Sequence, residues 1–306
     1  MLSWLVPIAL LCVVAAAFFL CRRTVFGSGL ASYLLTRRVP IRGTVASASI
    51  KGPITGYALR YLIYLPGGYE ATDQNYNTIY HLHGAFPLPW EKIQRFLELE
   101  INRLASSLEQ AVESGRIEPA IIVVPYDGGG QSMWADSKDG RMPVETSIVR
   151  ELIPHIDEGY RTRADRSGRV LQGFSMGGFG AMKNVLKYPE TFSAAVSYDG
   201  ALHSWHTLTK NRKNIANRVF QNDPEYFDQY SPWSHSQQAK QFPLLLCSNV
   251  GLLKAYNRAF RAHMDKIAVP MTYVETSCGH DLFCLLGKVG QRTFELLGSH
   301  LRDQKG

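Results

Sequence analysis

The chain has 306 residues, of which 45% are hydrophobic and 19% are charged, a composition that allows a substantial buried core and excludes a disordered or fibrous protein. The formal net charge of +7 arises before Glu70, because seven Lys and Arg and no acid precede that residue, and the remainder carries 26 basic and 26 acidic residues. This distribution favours contact with a membrane surface near the N-terminus and argues against binding to nucleic acid.

The first 21 residues contain no charged side chain, and a run of this length is long enough to span the hydrocarbon core of a bilayer as a helix. A basic pair follows the run, and basic residues just after a first apolar helix tend to stay on the cytosolic side. The sequence therefore predicts a single-pass membrane anchor over residues 1–23, a basic juxtamembrane linker over 24–42 and a following domain in the cytosol. A cleaved signal peptide is the alternative, although the run lacks a basic segment before it.

The globular domain is predicted over residues 43–306, and it begins with two strands of alternating polarity at 43–50 and 57–66. Six later runs are short, apolar and rich in Val, Ile, Leu and Tyr, as expected for parallel strands that are buried on both faces. These runs lie at residues 78–83, 120–126, 169–173, 192–198, 243–248 and 271–276.

Helical periodicity separates the apolar runs. It covers residues 91–115, 144–160, 176–189, 252–266 and 290–304. Strands that alternate with helices predict an α/β fold with a mostly parallel sheet, helices on both faces and ligands beyond the carboxyl ends of the strands. Residues 201–242 are polar and aromatic without clear periodicity, and we interpret them as an insertion that shapes the mouth of the pocket.

Ser175 lies between the predicted strand at 169–173 and the predicted helix at 176–189, with Gly173 and Gly177 on either side. This G-x-S-x-G spacing between a strand and a helix predicts a nucleophile elbow, in which small neighbours let the serine sit exposed on a sharp turn. A flexible glycine-rich turn is the structural alternative. Ser175 is therefore the candidate nucleophile.

A serine hydroxyl requires a base to act as a nucleophile, and His280 follows the last predicted strand in the segment TSCGHDLF. The order of serine then histidine makes His280 the candidate general base. An oxyanion hole requires the amide after the nucleophile, here Met176, and a second amide from the loop after the third strand. Gly84 in HLHGAFPLPW allows that loop to turn so that the N–H of Ala85 points inward.

The sequence indicates no metal and no organic cofactor. His81 and His83 alternate onto one face of a predicted strand, but no carboxylate cluster accompanies them as a metal site would require. Outside the predicted anchor the cysteines are Cys247, Cys278 and Cys284, whose spacing is not that of a disulfide framework, and free buried thiols are expected. A bridge between Cys247 and Cys278 is the alternative if both residues end neighbouring strands.

Seven ordered motifs run through the domain: YLPGGY, HLHG, VVPYDGGGQSMWADS, RELIPHIDEGYRT, LQGFSMGGFGAMKNVLKYPETFSAA, NRAF and CGHD. From about Gly43 to the C-terminus the chain resembles the Putative esterase family of the α/β-hydrolase superfamily, which includes S-formylglutathione hydrolases, feruloyl esterases and mycolyltransferases. The resemblance implies an α/β-hydrolase fold, Ser175 as nucleophile, His280 as general base, and the N–H groups of Ala85 and Met176 as the oxyanion hole.

The triad acid departs from the family pattern. In that family it lies six residues before the Asn of NRAF, where this chain has Gly251, and no carboxylate occurs over residues 243–264. We therefore expect the acid to be Asp199, at the carboxyl end of the strand that follows the elbow helix. One alternative is Asp127. Another is Glu275, which is close to His280 in sequence but lies on a predicted strand. The third alternative is a site without an acid.

The expected function is that of a membrane-anchored serine hydrolase, either a carboxylic ester hydrolase or an acyltransferase, which works through an acyl-serine intermediate on a small, lipophilic substrate. The first alternative is a non-hydrolytic enzyme of the same fold that catalyses a condensation or lyase step on a carbonyl compound, because a fold does not determine a reaction. The second alternative is a catalytically degenerate binding protein.

Overall fold

A computed structural model describes residues 36–86, 88–241, 244–248 and 252–303. Eight strands form one sheet in the order β1-β2-β4-β3-β5-β6-β7-β8. They are β1 (Thr44–Lys51), β2 (Ala58–Leu65), β3 (Asn77–Leu82), β4 (Ala120–Pro125), β5 (Arg169–Phe174), β6 (Ala194–Tyr198), β7 (Leu244–Ser248) and β8 (Thr272–Glu275). The β1–β2 and β2–β4 pairs are antiparallel and the other five pairs are parallel, which confirms the predicted mostly parallel sheet.

Helices connect the strands. Over the described ranges they are α1 (Trp90–Glu113), α2 (Val144–Thr146), α3 (Ile153–Gly159), α4 (Met176–Lys187), α5 (Trp205–Asn211), α6 (Lys213–Phe220), α7 (Pro224–Asp228), α8 (Leu252–Lys266) and α9 (Leu282–Asp303). A π-helical turn (Ser147–Leu152) joins α2 to α3, and short 3₁₀ turns cover Tyr69–Ala71, Arg166–Gly168 and Ser236–Gln241.

Two of the helical regions differ from the sequence-based prediction. The last helix begins at Leu282 rather than at residue 290, because packing against the sheet keeps Gly287 and Gly290 within a helix that local propensity would end there. The segment 201–242 contains three short helices of five to eight residues, which are too short to show a helical period in the sequence. The role of this segment at a pocket mouth stays a prediction.

The sheet is covered on both faces, as its strand sequences predict. Tyr61 and Ile63 of β2 belong to the apolar cluster that contains α4, whereas Leu62 and Tyr64 face the cluster that contains α1 and α9. Because successive side chains of a strand point to opposite faces, a continuous apolar run places one half of its residues in each layer. Helices on both sides of the sheet therefore bury the whole run.

The predicted localisation as a single-pass membrane protein is wrong, because the described part of the structure does not support a membrane-spanning helix. Among the described residues, no helix is long and apolar enough to cross a bilayer. The two longest helices, α1 and α9, carry charged side chains along their length, which a membrane span of about 20 apolar residues excludes. The predicted anchor over 1–23 and most of the predicted linker lie outside the described residues.

The helix α4 packs unusually close to the sheet because its first turn carries glycines. A methyl group at Gly177 would overlap the carbonyl oxygen of Leu82 at the end of β3, and one at Gly173 would overlap the backbone of Gly177. A methyl group at Gly178 would lie 2.7 Å from the Cα atom of Gly200. These contacts draw the ends of β3, β5 and β6 together around the start of α4, where the predicted site lies.

Replacing Gly177 by alanine should therefore be costly. We expect Gly177→Ala to lower the free energy of unfolding by about 3 kcal/mol or more, because the added methyl group meets backbone that cannot move aside. The matched control is Gly287→Ala in the exposed part of α9, where no atom lies within 4 Å of the added group. That change should raise stability by about 0.5–1 kcal/mol. Urea denaturation measures both, and equal effects of the two variants would contradict the close packing.

Candidate active site

Ser175 occupies the turn between β5 and α4 in a conformation that is rare for a residue with a side chain. Its φ and ψ angles are 57° and −115°, in a region that costs of order 1–3 kcal/mol and is held by surrounding contacts. The Ser175 amide donates to the Tyr198 carbonyl at 3.0 Å, and its own carbonyl accepts from the Ala201 amide at 2.8 Å. These bonds fix the strained turn and direct the side chain outward, as the G-x-S-x-G spacing predicts.

His280 lies beside Ser175, as the sequence predicts. Its Nε2 atom is 3.0 Å from Ser175 Oγ, and its Nδ1 atom is 2.6 Å from Asp199 Oδ2. A carboxylate only accepts hydrogen bonds, so the network assigns the proton to Nδ1 and leaves the Nε2 lone pair facing the serine hydroxyl. The ring of Phe174 stacks on the imidazole, with ring centres 4.5 Å apart, which helps to hold its orientation.

Asp199 follows β6 and reaches the histidine from the strand next to β5. The side chain is 3% exposed, compared with 14% for His280, and the residue itself has a φ of 45°. Asn257 on α8 lies fully buried with its Nδ2 atom 3.4 Å from Asp199 Oδ1 and 2.9 Å from the Leu253 carbonyl. The Asn257 amide therefore contacts the carboxyl oxygen of Asp199 that does not face His280. The family position at Gly251 lies outside the described residues.

The other two candidate acids are engaged elsewhere. Asp127 is buried and accepts hydrogen bonds from the amide and the hydroxyl of Ser132 at 3.1 and 2.7 Å, so it organises its own loop. Glu275 on β8 pairs with Arg258 and Lys254. Hydrogen bonds from these two side chains hold the pKa of the Glu275 carboxyl well below its usual range, so it is ionised and paired at the sheet edge.

The two predicted oxyanion amides lie close to the serine. Met176 is the first residue of α4, where backbone N–H groups point out of the helix end. Gly84 is packed so closely that a methyl group on it would lie 3.4 Å from Ser175 Cβ, which places the following Ala85 at the same end of the sheet.

The cysteine prediction is wrong, because Cys278 and Cys284 form a disulfide. The bridge closes a short loop around His280 and joins it to the first turn of α9. Asp281 supports the same turn, since its Oδ1 atom accepts from the Phe283 amide at 2.9 Å. The spacing of six residues did not suggest a bridge, because only the reversal of the chain after β8 brings the two cysteines together.

His81 and His83 are each engaged with protein groups rather than gathered at a metal site. His81 Nε2 lies 2.8 Å from Glu100 Oε1, and His83 Nδ1 lies 2.6 Å from the Gly84 carbonyl. All three side chains are fully buried. The described residues hold no group of three or more His, Cys, Asp or Glu that could bind a metal ion.

A buried ion pair under α4 was not predicted. Lys183 is fully buried and contacts both Glu145 and the Trp134 carbonyl, while Lys187 Nζ lies 2.6 Å from Glu145 Oε1. Burial opposes ionisation of Glu145, yet the two ammonium groups hold the pKa of its carboxyl below the ordinary value. Lysine is almost never fully buried unless it is paired, so the sequence alone did not indicate a buried position for Lys183. The pair ties α4 to the loop that carries Trp134.

The sheet order, the elbow and the Ser175–His280–Asp199 arrangement define a protein of the α/β-hydrolase type. The model of the family described as Putative esterase matches residues 52–252, which is 201 of the 306 residues. The chain belongs to the Putative esterase family, as its motifs predict.

Individual relatives agree with this assignment. An esterase of Mycobacterium tuberculosis strain CDC 1551 is 33% identical over 141 residues, which is 45% of this chain and 28% of the relative. The chain therefore spans less than a third of the length of that curated relative. A ferulic acid esterase structure is similar with a TM-score of 0.68 at 20% identity, covering 85% of this chain and 100% of the other.

A second solved structure shows the same fold. It is an S-formylglutathione hydrolase from Agrobacterium tumefaciens, with a TM-score of 0.69 at 14% identity, covering 87% of this chain and 99% of the other. These structural matches identify the α/β-hydrolase-type fold. The comparisons do not favour the non-hydrolytic enzyme or the degenerate binding protein that were considered as alternatives.

The disulfide beside His280 should make stability sensitive to reductant. Closing a loop of this size stabilises a protein by about 2 kcal/mol, so dithiothreitol should lower the free energy of unfolding of the wild type by that amount. The Cys278→Ser/Cys284→Ser double variant should start at the lower value and not respond to dithiothreitol. Denaturation with and without reductant tests this, and a reductant effect that persists in the double variant would contradict the assigned pairing.

Proposed function

We propose that the protein hydrolyses small-molecule carboxylic esters, or transfers their acyl groups, through an acyl-serine intermediate at Ser175. The observation that carries the proposal is the continuous chain of hydrogen bonds from Ser175 Oγ through His280 to Asp199, at 3.0 and 2.6 Å. Membership of the Putative esterase family supports the ester as the substrate bond. No cofactor enters the proposed reaction.

In the proposed first half-reaction, His280 Nε2 accepts the Ser175 hydroxyl proton while Oγ attacks the ester carbonyl carbon. The carbonyl oxygen becomes an oxyanion, and the N–H groups of Ala85 and Met176 donate hydrogen bonds to it. His280 then returns its proton to the departing alkoxide, which leaves as an alcohol. The acyl group remains bonded to Ser175.

In the second half-reaction, water or another alcohol occupies the place of the departed alcohol. His280 removes its proton, the new oxygen attacks the acyl-serine carbonyl, and collapse of the tetrahedral intermediate restores the serine hydroxyl. Asp199 stabilises the imidazolium that forms in each half-reaction and holds the ring by its Nδ1 proton. The buried position of the Asp199 carboxylate strengthens this interaction, because little water screens it.

A fluorophosphonate probe tests the nucleophile directly. We expect wild-type protein to form a covalent adduct on Ser175 and Ser175→Ala to form none, because the probe reacts only with an activated serine. Intact-mass spectrometry measures the adduct, and thermal unfolding checks that the variant is folded. Hydrolysis of esters with short and long acyl chains, measured on the same samples, also tests the predicted lipophilic preference. A folded wild type that neither reacts nor hydrolyses any ester would refute the proposal.

Three carboxylate-to-amide variants test the acid. We expect Asp199→Asn to lower kcat by about 10³–10⁴-fold, because an uncharged partner neither holds the reactive tautomer of His280 nor stabilises the imidazolium. Glu275→Gln is the matched control and should retain the wild-type kcat, since Glu275 pairs with Arg258 and Lys254. Asp127→Asn should mainly lower the free energy of unfolding, because Asp127 organises its own loop. A larger loss of kcat in Asp127→Asn than in Asp199→Asn would reassign the acid.

A further inference from the structure

We infer that His83 is a positioning residue for the oxyanion hole, because its imidazole holds the Gly84–Ala85 peptide group in the orientation that presents the Ala85 N–H to the substrate. The inference rests on the proposed function, since it concerns an amide that acts only when an oxyanion forms above Ser175. It assigns a role to a buried histidine that neither the triad nor a metal site uses.

One hydrogen bond from His83 sets the orientation of the Gly84–Ala85 peptide group. His83 is fully buried, and its Nδ1 atom lies 2.6 Å from the carbonyl oxygen of Gly84. A carbonyl oxygen carries no proton, so Nδ1–H is the donor. The carbonyl of Gly84 and the N–H of Ala85 belong to the same planar peptide group, and in a trans peptide they point in opposite directions. Binding the carbonyl therefore sets the direction of the Ala85 N–H.

The preceding peptide group, between His83 and Gly84, is also bound at its carbonyl. The carbonyl oxygen of His83 accepts a hydrogen bond from Trp134 Nε1 at 3.2 Å. Trp134 is itself held, because its backbone carbonyl contacts the buried Lys183 ammonium and its side chain packs against Gly180 of α4. Two successive peptide groups, on either side of Gly84, are thus each bound at the carbonyl by a buried side chain. A glycine at this turn would otherwise leave both groups free to rotate.

The His83 ring is itself packed against aromatic side chains. The His83 imidazole lies between Tyr126 and Trp134, with ring centres 5.9 and 4.9 Å away. Its Nε2 atom faces Asp127 Oδ1 at 3.6 Å. The two aromatic contacts and the Nδ1 hydrogen bond therefore hold the orientation of the ring, and Nε2 has no hydrogen-bond partner among the described residues. A hydrogen bond to a peptide carbonyl also polarises the whole peptide group, so the Ala85 N–H becomes a better donor.

Asparagine and glutamine distinguish this role from simple packing. The amide nitrogen of Asn lies close to the position of histidine Nδ1, whereas that of Gln lies closer to Nε2. His83→Asn therefore keeps a donor near the Gly84 carbonyl, and His83→Gln moves it away. We expect His83→Gln to lower kcat by about 10²-fold with little change in KM, which is the effect of losing one oxyanion-hole donor. His83→Asn should retain most of the wild-type kcat.

A trifluoromethyl ketone measures the oxyanion hole separately from turnover. Ser175 adds to this ketone to form a tetrahedral oxyanion, so His83→Gln should weaken its inhibition by about the same 10²-fold factor, and His83→Asn should not. His81→Gln is the control, because it is a buried change on β3, two residues before His83, that keeps a donor near Glu100. It should leave kcat, KM and ketone affinity unchanged.

Two results would overturn the role of His83. One is a wild-type kcat in folded His83→Gln. The other is an equal loss of kcat in His83→Asn and His83→Gln with unchanged ketone affinity, which indicates general destabilisation. If His83→Gln does not fold, long-range ¹H–¹⁵N correlation spectra of the wild type decide the point, because the inference requires the proton on Nδ1. Failure of fluorophosphonate to label the wild type would instead refute the proposed function itself.

Discussion

The arrangement of the site depends on the close contact between the first turn of α4 and the sheet. Gly177 has no side chain where the Leu82 carbonyl lies, and Gly173 has none where the backbone of Gly177 lies. Because this contact holds the end of β3 against the end of β5, Gly84 lies beside Ser175. Ser175 and the loop that carries Gly84 thus belong to a single packing arrangement, and the strained backbone of Ser175 is stabilised by its bonds to Tyr198 and Ala201.

The position of Asp199 beside His280 follows from the strand order. β6 is the parallel neighbour of β5, and Phe174 pairs in register with Tyr198, so the residue after β6 lies next to the residue after β5. Asp199 is that residue, one strand closer to the serine than the family's usual acid after β7. The loop that carries His280 begins after β8 and crosses back over the sheet, so it can meet a carboxylate at the end of either strand. The hydrogen bond at 2.6 Å to Asp199 shows which carboxylate it meets here.

Buried polar contacts connect this catalytic end to the layer beneath it. Lys183 of α4 contacts Glu145 and the Trp134 carbonyl, and Trp134 in turn donates to the His83 carbonyl. A buried ion pair of this kind adds little net stability, but loss of one partner typically costs about 3–5 kcal/mol because a charge remains buried without its partner. The pair therefore holds a specific arrangement, in which the elbow helix and the oxyanion loop are kept in register.

Local patterns in the sequence predicted most of the fold and part of the site. All eight strands, the sharp turn at Ser175 and the choice of His280 as the candidate base follow from apolar periodicity and from motifs in chain order, because each depends on residues within one short segment. The contact of His280 with Asp199 rather than Asp127, the Cys278–Cys284 bridge and the buried contacts of His83 were decided only by the tertiary structure. These features join groups that are distant in sequence, as in the pairing of His280 with a residue 81 positions earlier. They depend on the order of strands in the sheet, which the apolar period of a single strand does not determine.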